Sequence, residues 1–153
     1  MIKFHILVAS VLGIGYVSKG GGTAAAIVYC IIWFLLPAGY EKGNWQLLIT
    51  GMIIIAGTWS SGVVDSLWGR DNNKVVIDEV AGMAIALLYV PKNIGYVMIS
   101  LVAFRFFDIM KPLGVRKAEI LPKGWGVMAD DVLAGSYALA VIQLWILIAN
   151  KLS

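Results

Sequence analysis

Long apolar runs joined by short polar segments govern what this chain can become, because in lipid every backbone N–H and C=O must be paired within the protein. Measured against the roughly 20 residues a helix needs to cross a bilayer, the runs lie at Ala24 to Ala38, Gln46 to Leu67, Val76 to Val90, Ile94 to Met110 and Val132 to Ala149. Five membrane helices are expected. An earlier run, Phe4 to Val17, carries Gly13 and Gly15 and ends in Ser18-Lys19-Gly20-Gly21-Gly22-Thr23. It reads equally as a short broken or re-entrant helix and as a further span. Its basic start is thin, Lys3 alone, and it has no small-residue cleavage pattern, so it is expected to stay in the mature chain. Pro37-Ala38-Gly39, Pro91-Lys92-Asn93 and Lys111-Pro112-Leu113-Gly114 are turn chemistry between runs.

A soluble domain of 153 residues would not carry 60% hydrophobic and 14% charged residues. Mean hydropathy is +0.86. The polar joints are too short for an aqueous domain, so the expectation is a single all-α unit over residues 1–153, a polytopic integral membrane helical bundle. The net charge of +3 is spread over several loops. With no basic stripe interleaved with aromatics, nucleic acid is excluded as a partner, and the expected partners are membrane lipids. Cys30, inside AAAIVYCIIWFLL, reads as a small hydrophobe.

Against that background five acids stand out: Asp78, Glu79, Asp108, Asp130 and Asp131 sit at or inside the ends of apolar runs. A charge at the centre of a membrane helix costs about 2.5–3.5 kcal/mol on insertion scales, so something must compensate it. Threading the helices alternately across the bilayer brings the GGGT loop, the WGRDNNK loop, the end of FRFFDIMKP and the segment from Leu113 to Asp131 to one face. That face also holds Lys19, Arg70, Lys74, Lys111, Arg116, Lys117 and Lys123, against Lys42, Lys92 and Lys151 on the other. By the positive-inside rule the acidic face is expected to be cytoplasmic.

Asp78-Glu79 opens the helix VVIDEVAGMAIALL, either to offset the helix dipole or to face a polar site. Asp130-Asp131 precedes VLAGSYALAVIQLWILIA, where one Asp is expected to cap the helix and the other to be available to a metal. Gly82 and Gly135 follow these pairs by about one turn and would let the two helices approach closely. Arg105, Asp108 and Lys111 recur at three-residue spacing and share a face. They form either an internal ion pair with a snorkelling lysine, or a metal ligand or base flanked by phosphate clamps. The SKGGGT loop, with Lys19 and Thr23, is either a flexible turn or an anion site at a helix N-terminus. Carboxylates clustered beside cations match a hard-cation site of the Mg2+ type, whereas the lone His5 supports no nucleophilic triad.

Three blocks carry a family resemblance: VVIDEVAGMAIALLYVP, FRFFDIMKP and GWGVMADDVLAG. In order and spacing they resemble the phosphatidylglycerophosphatase A proteins of bacterial inner membranes. The resemblance implies Mg2+-dependent removal of the terminal phosphate of phosphatidylglycerophosphate. It carries over Asp78, Glu79, Asp108, Asp130 and Asp131 as motif acids, with Arg105 and Lys111 in the matched block. Mg2+ is then expected on some of Asp78, Glu79, Asp130 and Asp131, with Asp108 as base or further ligand. Lys111, Arg105, Lys19 and Thr23 would meet substrate phosphate. Asp71 aligns only loosely with a loop aspartate and is not expected to be a ligand. The family's usual Pro-Gly-Thr is Gly21-Gly22-Thr23 here. Attack by water and by way of an aspartyl phosphate both remain open. The rival reading is a small ion- or proton-coupled transporter using the same acids.

Overall fold

The computed structural model describes residues 1–17, 19–69, 72–112, 114–118, 121 and 124–152. Of the residues singled out above, Ser18, Arg70, Asp71, Leu113, Lys123 and the side chain of Lys117 lie outside them. The described residues form helices and turns, with no strand among them: α1 (Ile2–Ala9), α2 (Gly21–Leu35), α3 (Trp45–Trp68), α4 (Ile77–Ala86), α5 (Ile94–Met110), α6 (Val115–Ala118) and α7 (Gly124–Leu152).

Of the two readings of the first run, α1 fits the broken helix. It stops where Val11, Leu12 and Gly13 adopt φ of 47°, 55° and 97°, and Ser10 Oγ takes up the local polar groups by donating to Ile6 O at 2.7 Å and accepting from Gly13 N–H at 3.1 Å. Ala9 O then accepts the N–H of Val76 at 2.9 Å, which ties this break to the loop before α4.

Helices α3 and α7, with 24 and 29 residues, are long and apolar enough to cross a membrane. At 1.5 Å per residue they extend about 36 and 44 Å. Helices α2 and α5 are shorter, at 15 and 17 residues. The run Val76 to Val90 behaves differently from its expectation as a span. Only Ile77–Ala86 is helical, 10 residues covering about 15 Å, half the hydrocarbon thickness. Every residue of α4 except Glu79 is buried, enclosed by α2, α3, α5 and α7.

A helix that ends inside an apolar bundle leaves carbonyls and N–H groups that need partners. Two glutamines supply them. Gln46 Oε1 accepts from Tyr89 N–H at 3.1 Å, and Gln143 Nε2 donates to Leu88 O at 3.1 Å. At the end of α2 the Lys92 ammonium donates to the carbonyls of Phe34, Leu36 and Pro37 and lies 5.6 Å over the Trp33 ring. A cation on the negative end of a helix dipole is stabilising. Lys92→Ala is expected to cost about 1–2 kcal/mol, read as a lower thermal midpoint of detergent-solubilised protein; an unchanged midpoint would remove this cap from the stability account.

Helix α7 starts at Gly124, well before the expected Val132. It starts early because Gly124 seats on α3, where an added Cβ would collide with Thr58 O and come within 2.6 Å of Gly62 N. Asp130 and Asp131 therefore lie in the second turn, and neither caps the helix. The starts of α2, α4 and α7 and the ends of α3 and α5 gather at one pole, flanked by Lys74 stacked between Tyr16 and Trp68 at 5.6 and 5.5 Å from their rings. Away from that pole the outer surface is apolar, with Ile31, Ile55, Trp59, Met98, Val102, Leu144 and Leu147 exposed.

Candidate active site

The polar pole is assembled by a glycine crossing. A Cβ on Gly135 would collide with Gly82 O and fall 2.9 Å from its carbonyl carbon, and one on Gly82 would fall 2.7 Å from Asp131 O. Backbone thus meets backbone between α4 and α7. Asp78 and Asp131 each lie four residues before their glycine, one turn along the same face. The contact that the two glycines permit is what brings these acids together.

One ligand oxygen each from Asp78, Glu79 and Asp131 lie within 4.8 Å of one another. Asp78 and Asp131 are buried, at 9% and 3% exposure, and Glu79 is half-buried. The buried Val75-Val76-Ile77 stretch sets the first turn of α4 inside the bundle, where Glu79 N–H donates to Asp78 Oδ1 at 3.1 Å. Asp108, from the last turn of α5, pairs with Arg105 at 2.5 Å. Arg105 also reaches Glu79 at 4.0 Å.

Asp130 takes another direction. Its Oδ2 accepts from Lys111 Nζ at 2.6 Å, so it stands outside the three-acid convergence although it was expected beside it. Lys111 does not continue the face of Arg105 and Asp108. It follows the last residue of α5 at φ 46°, ψ 47°, a left-handed conformation costing roughly 1–2 kcal/mol for a residue with a Cβ. That turn sends its side chain across to α7.

Unneutralised like charges at such distances repel by roughly 3–4 kcal/mol per pair at an effective dielectric of 20. Among the described residues, Arg105 and Lys111 are the cations in ion pairs with the five acids, held most closely by Asp108 and Asp130. Asp78, Glu79 and Asp131 therefore suit a bound hard cation. Buried Glu79 Oε2 has no hydrogen-bond partner among the described residues, which fits a ligand atom.

Beside the acids lies a cavity of about 410 Å³ lined by Lys19, Gly20, Gly21, Gly22, Asn73, Glu79 and Arg105, together with Val17 and Val75. Helix α2 begins here after Gly20 (φ 85°), with no side chain capping it, so its first N–H groups can receive an anion. Thr23 is half-buried in the same first turn. The glycine run has a steric reason too: a Cβ on Gly22 would collide with Glu79 Oε1 and lie 2.6 Å from its Cδ. Asn73 and this tight Gly22–Glu79 packing were not anticipated. The glycine run was the only available signal for the packing, and Asn73 had none.

An acid cluster able to hold a cation, set against a cationic cavity at one pole of an apolar helical bundle, is the layout of a membrane phosphoryl hydrolase. The sequence matches phosphatidylglycerophosphatase A over residues 7–146, and the chain belongs to that family; it is a phosphatase and a membrane protein. It is 31% identical to a phosphatidylglycerophosphatase A of Haemophilus influenzae, covering 94% of this chain and 90% of that one. The Escherichia coli protein of the same name is 30% identical over 79% of this chain and 69% of its own. A Bacteroides thetaiotaomicron protein, provisionally named phosphatidylinositol-3-phosphatase, is 40% identical over 93% of this chain and 94% of its own. No solved structure matches the chain.

Proposed function

We propose that the protein hydrolyses phosphatidylglycerophosphate to phosphatidylglycerol and inorganic phosphate, with Mg2+, at the cytoplasmic face of a bacterial inner membrane. The observation that supports this reading is the convergence of Asp78, Glu79 and Asp131 next to the cavity shared by Lys19 and Arg105. Mg2+ suits an all-oxygen ligand set and takes the rest of its shell from water and substrate phosphate. When bound, it would supply Lewis-acid polarisation of the phosphoryl group.

The chain's own residues do the remaining work. Lys19, Arg105 and the N–H groups opening α2 neutralise and orient the non-bridging phosphate oxygens, since phosphoryl transfer depends mainly on positioning and charge stabilisation. Thr23 adds a hydroxyl in that turn. Asp108 accepts the proton of the attacking water as the new P–O bond forms. The bond from phosphorus to the lipid oxygen breaks, and that oxygen takes the proton Asp108 received from the water and leaves as the alcohol, restoring the Asp108 carboxylate. Lys111, paired with Asp130, adds positive charge at the same pole. The remaining lipid stays in the bilayer, so no aqueous channel is needed for the tails.

Purified protein is expected to release phosphate from phosphatidylglycerophosphate with Mg2+, to stop in EDTA and to recover on Mg2+ addition. Phosphatidylinositol 3-phosphate belongs in the same assay because of the Bacteroides relative's name. Faster turnover of that lipid would replace the headgroup assignment. Release from neither lipid, or release unaffected by EDTA, would overturn the reading. The transporter alternative loses its footing, since the acids collect at one pole in a chain of a phosphatase family.

A further inference from the structure

We infer that the groove between α2 and α5 holds one acyl chain of the lipid substrate, an assignment that rests on the lipid-phosphatase reading. The groove measures about 370 Å³ and its lining is wholly apolar in residue type. Its floor is Cys30 and Val97, at 6% and 3% exposure; its walls include Ile31 and Met98, at 54% and 50%.

What selects the occupant is continuity with the polar cavity. On α5, Ile94, Met98 and Leu101 lead to Arg105 at spacings of four, three and four residues, a single helical stripe. On α2, Thr23 leads into Ile27, Cys30 and Phe34 in the same way. The two helices run in opposite directions, and Gly22 and Arg105 both line the cationic cavity. Leu101 lies four residues from Arg105 and Ile27 five from Gly22, a rise of about 6–8 Å. The apolar groove thus opens roughly one helical turn from where phosphate would sit, and only a ligand with an anionic head and an apolar tail matches both halves. A second apolar groove of about 460 Å³, between α3 and α7 around Trp59 and Trp125, shares no lining residue with the cationic cavity.

Lipid tails are as apolar as the groove, so occupancy yields no hydrophobic gain over the bilayer. Its benefit is packing and alignment: a tail lying along α2 and α5 orients its phosphate toward Arg105. Obstruction should therefore act on KM for long-chain substrate. Ile31→Trp and Met98→Trp, one from each wall, fill the groove from positions that face lipid and tolerate bulk. Each is expected to raise KM for dioleoyl phosphatidylglycerophosphate about fivefold to tenfold with kcat within about twofold. The preference for the dioleoyl over the dibutyryl substrate, in kcat/KM, should fall by the same factor. Ile55→Trp in the α3–α7 groove is the control and should leave that preference unchanged. An unchanged long-chain KM in both α2–α5 variants, or an equal rise in Ile55→Trp, would overturn the groove while leaving the phosphatase reading intact. Failure of the wild-type protein to hydrolyse either substrate would overturn both.

Discussion

Asp78→Asn is expected to lower phosphate release from phosphatidylglycerophosphate by about 10³-fold, equivalent to about 4 kcal/mol of transition-state stabilisation. The substitution is nearly isosteric, and an Asn Oδ1 can still accept the Glu79 N–H that Asp78 holds at 3.1 Å. The change therefore removes charge and a ligand oxygen while leaving the first turn of α4 in place. Its signature is a divergence of activity and stability. Without metal, the variant should be more stable than the wild type, because one of three converging carboxylates no longer repels the others. Added Mg2+ should raise the wild-type thermal midpoint through preferential binding to the folded state and have little effect on the variant. A purely structural Asp78 would give the opposite pattern, with lower stability and activity lost only in proportion to unfolding. Activity within tenfold of wild type would take Asp78 out of the site.

The second large effect belongs to a residue with no chemistry of its own. Gly135→Ala places a Cβ against the carbonyl of Gly82, 2.9 Å from its carbon and 3.0 Å from its Cα. Both contacts are backbone, so no side chain can rotate away and the helices must part. About 3 kcal/mol of destabilisation is expected, seen as a lower thermal midpoint and a smaller monodisperse fraction on gel filtration. Because Asp131 is one turn from Gly135, activity of the folded fraction should fall as well, by about 10²-fold, since small misplacement of reacting groups is costly. Ser136→Ala, next in sequence but exposed and bonded to its own helix at Val132 O, should stay within about 0.5 kcal/mol of wild type. If Gly135→Ala behaves like Ser136→Ala, the crossing does not set the acid geometry.

These two positions show where sequence reasoning succeeds and where it stops. The apolar runs locate α2, α3 and α5 to within a few residues, because burial in lipid imposes composition and length on each helix independently. Glycines within the first run anticipate the break after α1 for the same local reason. The start of α7 lies eight residues before its expected place, since the two glycines and paired aspartates of Gly124 to Asp131 read as loop while Gly124 seats on α3. Val76 to Val90 has the hydropathy of a span but is halted at Ala86, where Gln46 and Gln143 accept the burden of its unpaired backbone. Those partners lie 43 and 55 residues away in sequence, beyond any local pattern.

The five acids proposed for the site stand out in the sequence alone, because a carboxylate among apolar residues is costly. Their division into three that converge and two that hold cations does not. Asp130 and Asp131 are adjacent in the chain, yet about 100° of helical rotation separates them, and only the approach of α4 through Gly82 and Gly135 turns Asp131 toward Asp78 while Asp130 meets Lys111. Sequence by itself determined the all-helical membrane character, the positions of α2, α3 and α5 and the set of charged residues, all set by the local balance of burial and backbone pairing. Tertiary structure alone decided which charges meet, because that depends on how closely two helices can approach and how each is rotated about its axis.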